Sequence, residues 1–358
     1  VNPNIFKAYD IRGIYPSEVN SEAALNIAKA LVEFFHLRRR KRGRLKIVVS
    51  RDNRLSSPVL SRAIKKGILE QGADVIDIGL STTPMFYFAV WKYKFDGGIM
   101  VTASHNPPEY NGFKIVGEKA EAIGKENGLE KIKKIVLEEE KKSRIKKGKI
   151  KKLNVLKKYL NFSSSQVDIG KIKNLKIGID TANAVSGILV EELKKRLPCE
   201  IYHLFSELDG SFPNHLPNPL EEKNIRDLEK IVKQKKLDLG VAFDGDGDRI
   251  IFIDEKGKMI PSDFITSLIS QKILKENPGA KILYNVCSSN IIKDVVEKNG
   301  GVPIMGKIGH TFIKERMKKE NVFFAGEFSG HYFLAPYFFE VPLFLSLIHI
   351  SEPTRLLS

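Results

Sequence analysis

Three times along this chain a short β-branched run empties into a turn of small, polar residues and then into a helix-like segment. The runs are LKIVVSRDNRLSS at 45–57, LKIGIDTANAVSG at 175–187 and KILYNVCSSN at 281–290. Strand, polar turn and helix in that order favour layered α/β packing, and a spacing of roughly 105 to 130 residues allots one domain to each recurrence. The chain has 358 residues, more than one core usually holds, since single cores seldom grow past ~250 residues. The sequence therefore predicts similar α/β domains in tandem at 1–148, 149–258 and 259–345, followed by a tail at 346–358. A Lys-rich linker near 146–152, with Gly148 inside it, ends the first domain. The second ends near Lys258, after an apolar strand at 250–254 and the turn EKG.

Apolar residues at 42% beside 28% charged exclude collagen-like, mucin-like and wholly disordered chains. The net charge of +16, from 59 basic and 43 acidic residues, biases the protein toward anionic partners: nucleic acid, a membrane surface or phosphorylated small molecules. The excess sits in RRRKRGR at 38–44 and in a Lys-rich stretch at 131–158 with no aromatic before Tyr159. That pattern fits solvated helix faces and a linker better than a base-stacking platform, so no nucleic-acid partner is expected, and no obligate protein partner is evident. The stretch from Tyr332 to Ile350 is almost wholly apolar, but Pro336, Glu340 and Pro342 interrupt it. A core strand entering a core helix is expected there, and no membrane span. Only Cys199 and Cys287 occur, outside any C-x-x-C spacing, and no apolar leader opens the chain. These features point to a reducing compartment, the cytoplasm.

Residues 101–115, VTASHNPPEYNGFKI, read as a strand end, a dense turn and a second strand starting at Gly112. A serine beside a histidine on such a loop is where a nucleophile can sit, although serines also close ordinary turns. Lys114 on the return strand favours the first reading, because its ammonium would stand beside an anion at Ser104.

Residues 237–254, LDLGVAFDGDGDRIIFID, set Asp244, Asp246 and Asp248 alternately with glycine between two apolar strands. Gly245 and Gly247 let the backbone curl so that three hard oxygen donors converge on one cation. Without a cation the carboxylates would repel one another, which makes a divalent metal the economical explanation. The spacing to Glu255 matches part of an EF-hand, but Arg249 stands at the required glycine and strands flank the loop. An aspartyl nucleophile forming a phospho-aspartate remains the chemical rival, and a ligand-free structural turn the bland one.

Residues 323–333, FFAGEFSGHYF, lead a strand into a loop presenting Glu327, Ser329 and His331 at alternate positions. On extended backbone these share a face, so carboxylate, hydroxyl and imidazole could meet one polyol; merely stabilising the loop is the alternative. YDIRG at 9–13 puts Arg12 on an early loop, and GKIGH at 306–310 puts Lys307 and His310 where phosphate could approach. Each of these two cations could equally be an ordinary surface charge.

Taken in order, YDIRG, TASHNPPEYNGFK, DGDGDR, GKIGH and GEFSGH resemble the α-D-phosphohexomutase family, in its phosphomannomutase/phosphoglucomutase branch. The resemblance also takes in TTP at 82–84 and HLPNPLEEKN from His215, and runs from about Phe6 to about His331. It implies three-layer α/β domains with mixed sheets around a central cleft, and a cytoplasmic isomerase acting on mannose or glucose phosphates. The family's phosphoserine corresponds to Ser104, which passes its phosphoryl group to one sugar hydroxyl and recovers the other phosphate from a bisphosphate intermediate. The resemblance implies Mg2+ on Asp244, Asp246 and Asp248 with the phosphoserine completing the set, and glucose 1,6-bisphosphate as the activator that loads Ser104. It surrounds the transferring group with Arg12, His105, Lys114 and Arg249, sets Lys307 and His310 near the substrate, and gives Glu327, Ser329 and His331 to the sugar hydroxyls.

The family normally has a fourth domain whose loop, near R-x-S-G-T-E-P, grips the other phosphate. The nearest string here, SEPTR at 351–355, lacks that order, so the sequence reads as truncated, with residues from about 346 on of foreign origin and reduced mutase activity. A first residue that is not Met fits a fragment. Two rival functions are an aspartyl-nucleophile phosphatase and a non-catalytic phosphosugar binder.

Overall fold

The computed structural model describes residues 1–39, 43–138, 147–165 and 174–341. Each recurrence in the sequence becomes one sheet. The first sheet contains β1 (Ile11–Ile14), β2 (Lys46–Arg51), β3 (Asp74–Leu80), β4 (Gly97–Val101), β5 (Tyr110–Gly117) and β6 (Ile150–Lys152) in the order β1-β5-β4-β2-β3-β6. β2, β3, β4 and β6 run parallel, while β5 is antiparallel to both β4 and β1. Its helices are α1 (Ser21–Arg38), α2 (Ser57–Glu70), α3 (Thr83–Lys92) and α4 (Glu130–Leu137). α1 begins where the Asn20 side chain accepts the Ala23 N–H, with Glu22 in its first turn and His36 and Arg38 in its last, as the helix dipole favours. Ile27, Leu31 and Phe34 of α1 pack with Ile47 and Val49 of β2 in one buried cluster. Gly98, on the neighbouring strand, makes room for Phe86 of α3.

The second sheet contains β7 (Lys176–Asp180), β8 (Glu200–Leu204), β9 (Leu239–Phe243), β10 (Ile250–Ile253) and β11 (Met259–Ile260), ordered β11-β10-β9-β7-β8. Its helices are α5 (Leu156–Ser164), α6 (Gly187–Leu193) and α7 (Glu222–Lys235). The spacing of Ile225, Leu228 and Val232 on α7 gives one apolar stripe, which is buried against Leu237, Ala242 and Ile253. The third sheet contains β12 (Lys281–Asn285), β13 (Val302–Gly306), β14 (Phe324–Gly326), β15 (Tyr332–Leu334) and β16 (Phe339–Glu340), ordered β13-β12-β14-β15-β16. It is served by α8 (Ser262–Glu276), α9 (Ile291–Lys298) and α10 (His310–Glu320). Each sheet mixes parallel and antiparallel pairs, as a tandem α/β chain with mixed sheets requires. The chain divides into two compact units: Val1–Lys157 with Leu208–Pro213, and Lys158–Glu207 with the residues from Asn214 on.

Three sequence expectations change. The stretch taken as a linker holds β6, which adds to β3 in parallel: Gly148 donates its N–H to the Leu69 carbonyl, and Val75 donates to the Lys149 carbonyl. Lysine side chains alone hid this edge strand, because an edge leaves polar residues in water. Near Lys258 the chain turns back, with Gly257 at φ +67°, and β11 rejoins the second sheet after the expected boundary. β5 starts at Tyr110, two residues before the expected Gly112. Of the apolar stretch from Tyr332, the described part forms the hairpin of β15 and β16, while residues from 342 on, where the expected core helix would fall, lie outside the described residues, as does the tail at 346–358. Among the described residues no helix is long and apolar enough to cross a membrane. In the basic run at 38–44, Arg38 pairs with Glu121, Arg39 with Asp96 and Arg44 with Asp74, each at 3.2 Å.

Candidate active site

In the first unit, β4 ends at Val101 and delivers a buried Ser104 with φ +50°, a left-handed backbone that a serine adopts only under constraint. The Thr102 hydroxyl accepts the Ser104 N–H at 2.9 Å, and Ser104 Oγ lies 3.3 Å from His105 Nδ1. Lys114 is buried on β5, opposite Met100 of β4, so the two limbs of one hairpin carry the serine and the ammonium. Arg12 is on β1, opposite Gly112, and donates from Nη1 to Asn106 Oδ1 at 2.6 Å while pairing with Asp10. The structure thus brings Arg12 onto the Ser104 loop through Asn106, a residue the sequence motifs did not single out.

The larger omission is Arg54. It lies in the SRDNR turn, read only as strand-to-helix punctuation, and its side chain is fully buried. Nη2 donates to the carbonyls of Ser104 and Asn106 at 2.7 Å each, and Nη1 to those of Pro107 and Tyr110 at 2.6 and 3.2 Å. Its Nε faces Asp52 at 3.2 Å. Burial pushes the Asp52 carboxyl up, against the pull of Arg54 and of hydrogen bonds from Ser57 and Thr102. An arginine two residues beyond a strand-end aspartate was the available signal, since such a pair can be buried only together.

In the second unit, β9 and β10 flank the aspartate loop. Asp244, Asp246 and Asp248 are all buried, with carboxylate oxygens within 4.8 Å of one another. Asp244 Oδ1 accepts the N–H groups of Asp248 and Arg249 at 3.1 Å, which curls the loop, and Gly247 takes φ +70° to complete the turn. Buried anionic oxygens at that spacing fit a hard divalent cation, and the backbone donors hold one of them in place before any ion arrives. Zinc prefers histidine and thiolate donors, and no cysteine is in this cluster.

The third sheet reaches the same site. Ile250 donates its N–H to the Gly330 carbonyl at 3.0 Å, and His331 Nε2 lies 3.2 Å from Asp248 Oδ1 and 3.4 Å from Arg249 Nε. Glu327, Ser329 and His331 do gather, but through a tight turn and not along extended backbone. Glu327 and Gly330 close the turn, Ser329 Oγ is 2.8 Å from His331 Nδ1, and Glu327 Oε2 is 3.3 Å from the same nitrogen. Burial works against a charged His331 imidazole, yet Asp248 and Glu327 outweigh it and push its pKa up to about 9; a cation on the aspartates would weaken that pull. Burial likewise works against an ionised Glu327, but His331, the Gly309 N–H and Asn285 hold its pKa below the ordinary carboxylate value. The Glu327 carboxylate therefore ties β12, the GKIGH loop and the GEFSGH turn together, through Asn285 at 3.4 Å and Gly309 at 3.2 Å. The His310 ring stacks at 6.4 Å from His331, whereas Lys307 is exposed beside Phe312.

Comparison with known proteins agrees with this geometry. The phosphoglucomutase/phosphomannomutase alpha/beta/alpha domain models match in order: domain I over residues 3–143, domain II over 157–257 and domain III over 261–340. A phosphomannomutase of Vibrio cholerae is 41% identical over 333 residues, covering 92% of this chain and 72% of its own length. A phosphomannomutase/phosphoglucomutase of Pseudomonas putida is 36% identical, covering 92% of this chain and 69% of its own. The crystal structure of a phosphoglucomutase/phosphomannomutase family protein from Burkholderia thailandensis superposes with a TM-score of 0.89 at 33% identity, covering 98% of this chain and 77% of that one. With three consecutive domain models matched, an aspartate cluster in the second and the GEFSGH turn in the third, this chain belongs to the phosphoglucomutase/phosphomannomutase family of α-D-phosphohexomutases.

Proposed function

We propose that this chain is an isomerase that interconverts hexose 1-phosphate and hexose 6-phosphate, with mannose or glucose as the sugar, through a phosphoserine at Ser104 and a bisphosphate intermediate. The observation that carries this is Ser104 itself: buried, left-handed, 3.3 Å from His105, on a hairpin whose other limb holds Lys114. A serine kept in a strained backbone by its surroundings is a group whose position matters more than its comfort. The names of the Vibrio cholerae and Pseudomonas putida relatives support the reaction class.

Phosphoryl transfer asks little covalent chemistry of a protein and much positioning and neutralisation of charge. In this reading Arg12, His105, Lys114 and Arg249 balance the charge of the transferring group. Asp244, Asp246 and Asp248 hold Mg2+, which supplies charge neutralisation to phosphoryl oxygens when bound. Glucose 1,6-bisphosphate loads the serine. Lys307 and His310 attract the substrate phosphate, and Glu327, Ser329 and His331 meet sugar hydroxyls. The two cysteines, Cys199 half-buried and Cys287 exposed, fit a reducing cytoplasm.

Peptide mass spectrometry after incubation with glucose 1,6-bisphosphate and Mg2+ tests the reading. Acid-stable, hydroxylamine-resistant phosphate on Ser104, absent in Ser104→Ala, is the expected result. Hydroxylamine-sensitive phosphate on Asp244 would replace this reading by the aspartyl phosphatase, and no phosphate at all by a phosphosugar binder.

A further inference from the structure

We infer that Arg54 is a positioning residue for the nucleophilic serine, and that Phe212, reaching in from the segment Leu208–Pro213, locks it in place. The inference rests on the reading of Ser104 as the phosphorylated group. Arg54 is fully buried and cannot touch a substrate; what it touches is the peptide backbone on which Ser104 hangs. Four carbonyls, those of Ser104, Asn106, Pro107 and Tyr110, turn inward onto one guanidinium. A carbonyl oxygen pinned this way fixes the peptide plane beyond it, so the clamp sets the loop's path from the left-handed Ser104 to the first residue of β5.

The fit depends on the guanidinium's shape. Two terminal nitrogens carry the four carbonyls while Nε faces Asp52, which Ser57 and the Arg54 N–H hold in turn. A lysine has one nitrogen and three protons and cannot span this fork. The flat face left over is covered by the Phe212 ring, 5.0 Å from Arg54 Cζ. Backbone proximity shows how closely that cover is fitted: a Cβ on Gly210 would lie 2.3 Å from the Asn53 carbonyl and 2.6 Å from Arg54 Cα. This explains why a short segment from the middle of the second domain's sequence is part of the first compact unit.

The test follows the rate of Ser104 phosphorylation by glucose 1,6-bisphosphate and Mg2+ in the full chain, with the fraction phosphorylated read separately. A role in folding alone lowers the fraction and leaves the rate constant of the folded molecules unchanged; a role in positioning lowers the rate constant at saturating bisphosphate and leaves half-saturation in place. For Arg54→Lys, which keeps the charge, a fall of about 100-fold in the saturated rate constant is expected, the usual consequence of a reacting atom displaced by about 1 Å. A wild-type rate constant in Arg54→Lys overturns the inference while leaving Ser104 as nucleophile. Failure of the wild-type chain to phosphorylate on Ser104 overturns the functional reading, and the inference with it. If Arg54→Lys does not fold, Phe212→Leu decides: a slowed rate constant with a cooperative melt supports the lock, and an unchanged one overturns it.

Discussion

The loop after β4 is clamped by a buried arginine, whereas the loop after β9 gathers three buried carboxylates whose oxygens fit a hard divalent cation. Behind the Ser104 loop stands Arg54, buried with Asp52 and crowned by four carbonyls. Beside Asp248 in the cluster of Asp244, Asp246 and Asp248 stand the buried His331 and the half-buried Arg249. Both loops are built on a strand end and a left-handed residue, Ser104 in one and Gly247 in the other. The difference is one of chemistry: a nucleophile must be in place before its substrate comes, so its loop is organised by an internal cation. A metal loop can draw part of its order from the ion it binds.

The sharpest way to break that contrast is to remove the internal cation. Arg54→Met strands a buried aspartate and four carbonyls, and breaking a buried ion pair from one side costs about 3–5 kcal/mol. Urea denaturation of the full chain measures it, with Asp52→Leu added in the same molecule expected to recover part of the loss, since no lone charge then remains buried. A loss under ~1 kcal/mol, the size of an ordinary surface change, would mean the clamp is not what holds the loop.

The aspartate loop should respond to an added ion instead. With free Mg2+ a hundredfold above its dissociation constant, stability should rise by about 2.7 kcal/mol, because the ion binds the folded loop and not the unfolded chain. Asp246→Asn should abolish that rise and Arg54→Met should keep it. Thermal melts with and without Mg2+ measure both. A rise that survives Asp246→Asn would place the ion elsewhere and dissolve the comparison.

Much of this was legible in the sequence, for reasons that also explain what was not. Alternating aspartate and glycine between two apolar strands permits few structures, and the loop stands where it was read, between β9 and β10. The Ser104 loop was legible as a turn, but its organiser was not. Arg54 is about 50 residues away in the chain from the carbonyls it clamps, and the one local signal, the strand-end Asp52 two residues before it, does not say what the arginine holds. Phe212 is further still and joins the first unit from within the second domain's sequence. The Glu327, Ser329 and His331 group was found by alternation along a strand, yet it forms by a turn closed between Glu327 and Gly330. β6 was hidden because Ile150–Lys152 is exposed throughout, so its residues carry no alternation to read.

Glu327 offers the smallest expected effect and the finest test, because it belongs to neither extreme. It is buried like Asp52 and acidic like the triad, but its partners are the Gly309 N–H, the Asn285 amide and the His331 ring. Those partners hold its folded pKa below the ordinary 4.5 against the cost of burial. The sign follows: a carboxyl whose folded pKa is depressed contributes stability that is fully present above its unfolded value and is lost as pH falls through the folded one. Glu327→Gln should therefore cost about 1–3 kcal/mol at neutral pH, the worth of hydrogen bonds to a charged acceptor. Its deficit against wild type should narrow only once the pH drops below ~4.5. Urea melts at pH 7 and pH 3.5 separate the possibilities. A deficit that persists in acid would mean that Glu327 fills space in the turn and that its charge contributes nothing, leaving the third domain's tie to the aspartate loop resting on His331 and the Ile250–Gly330 backbone bond.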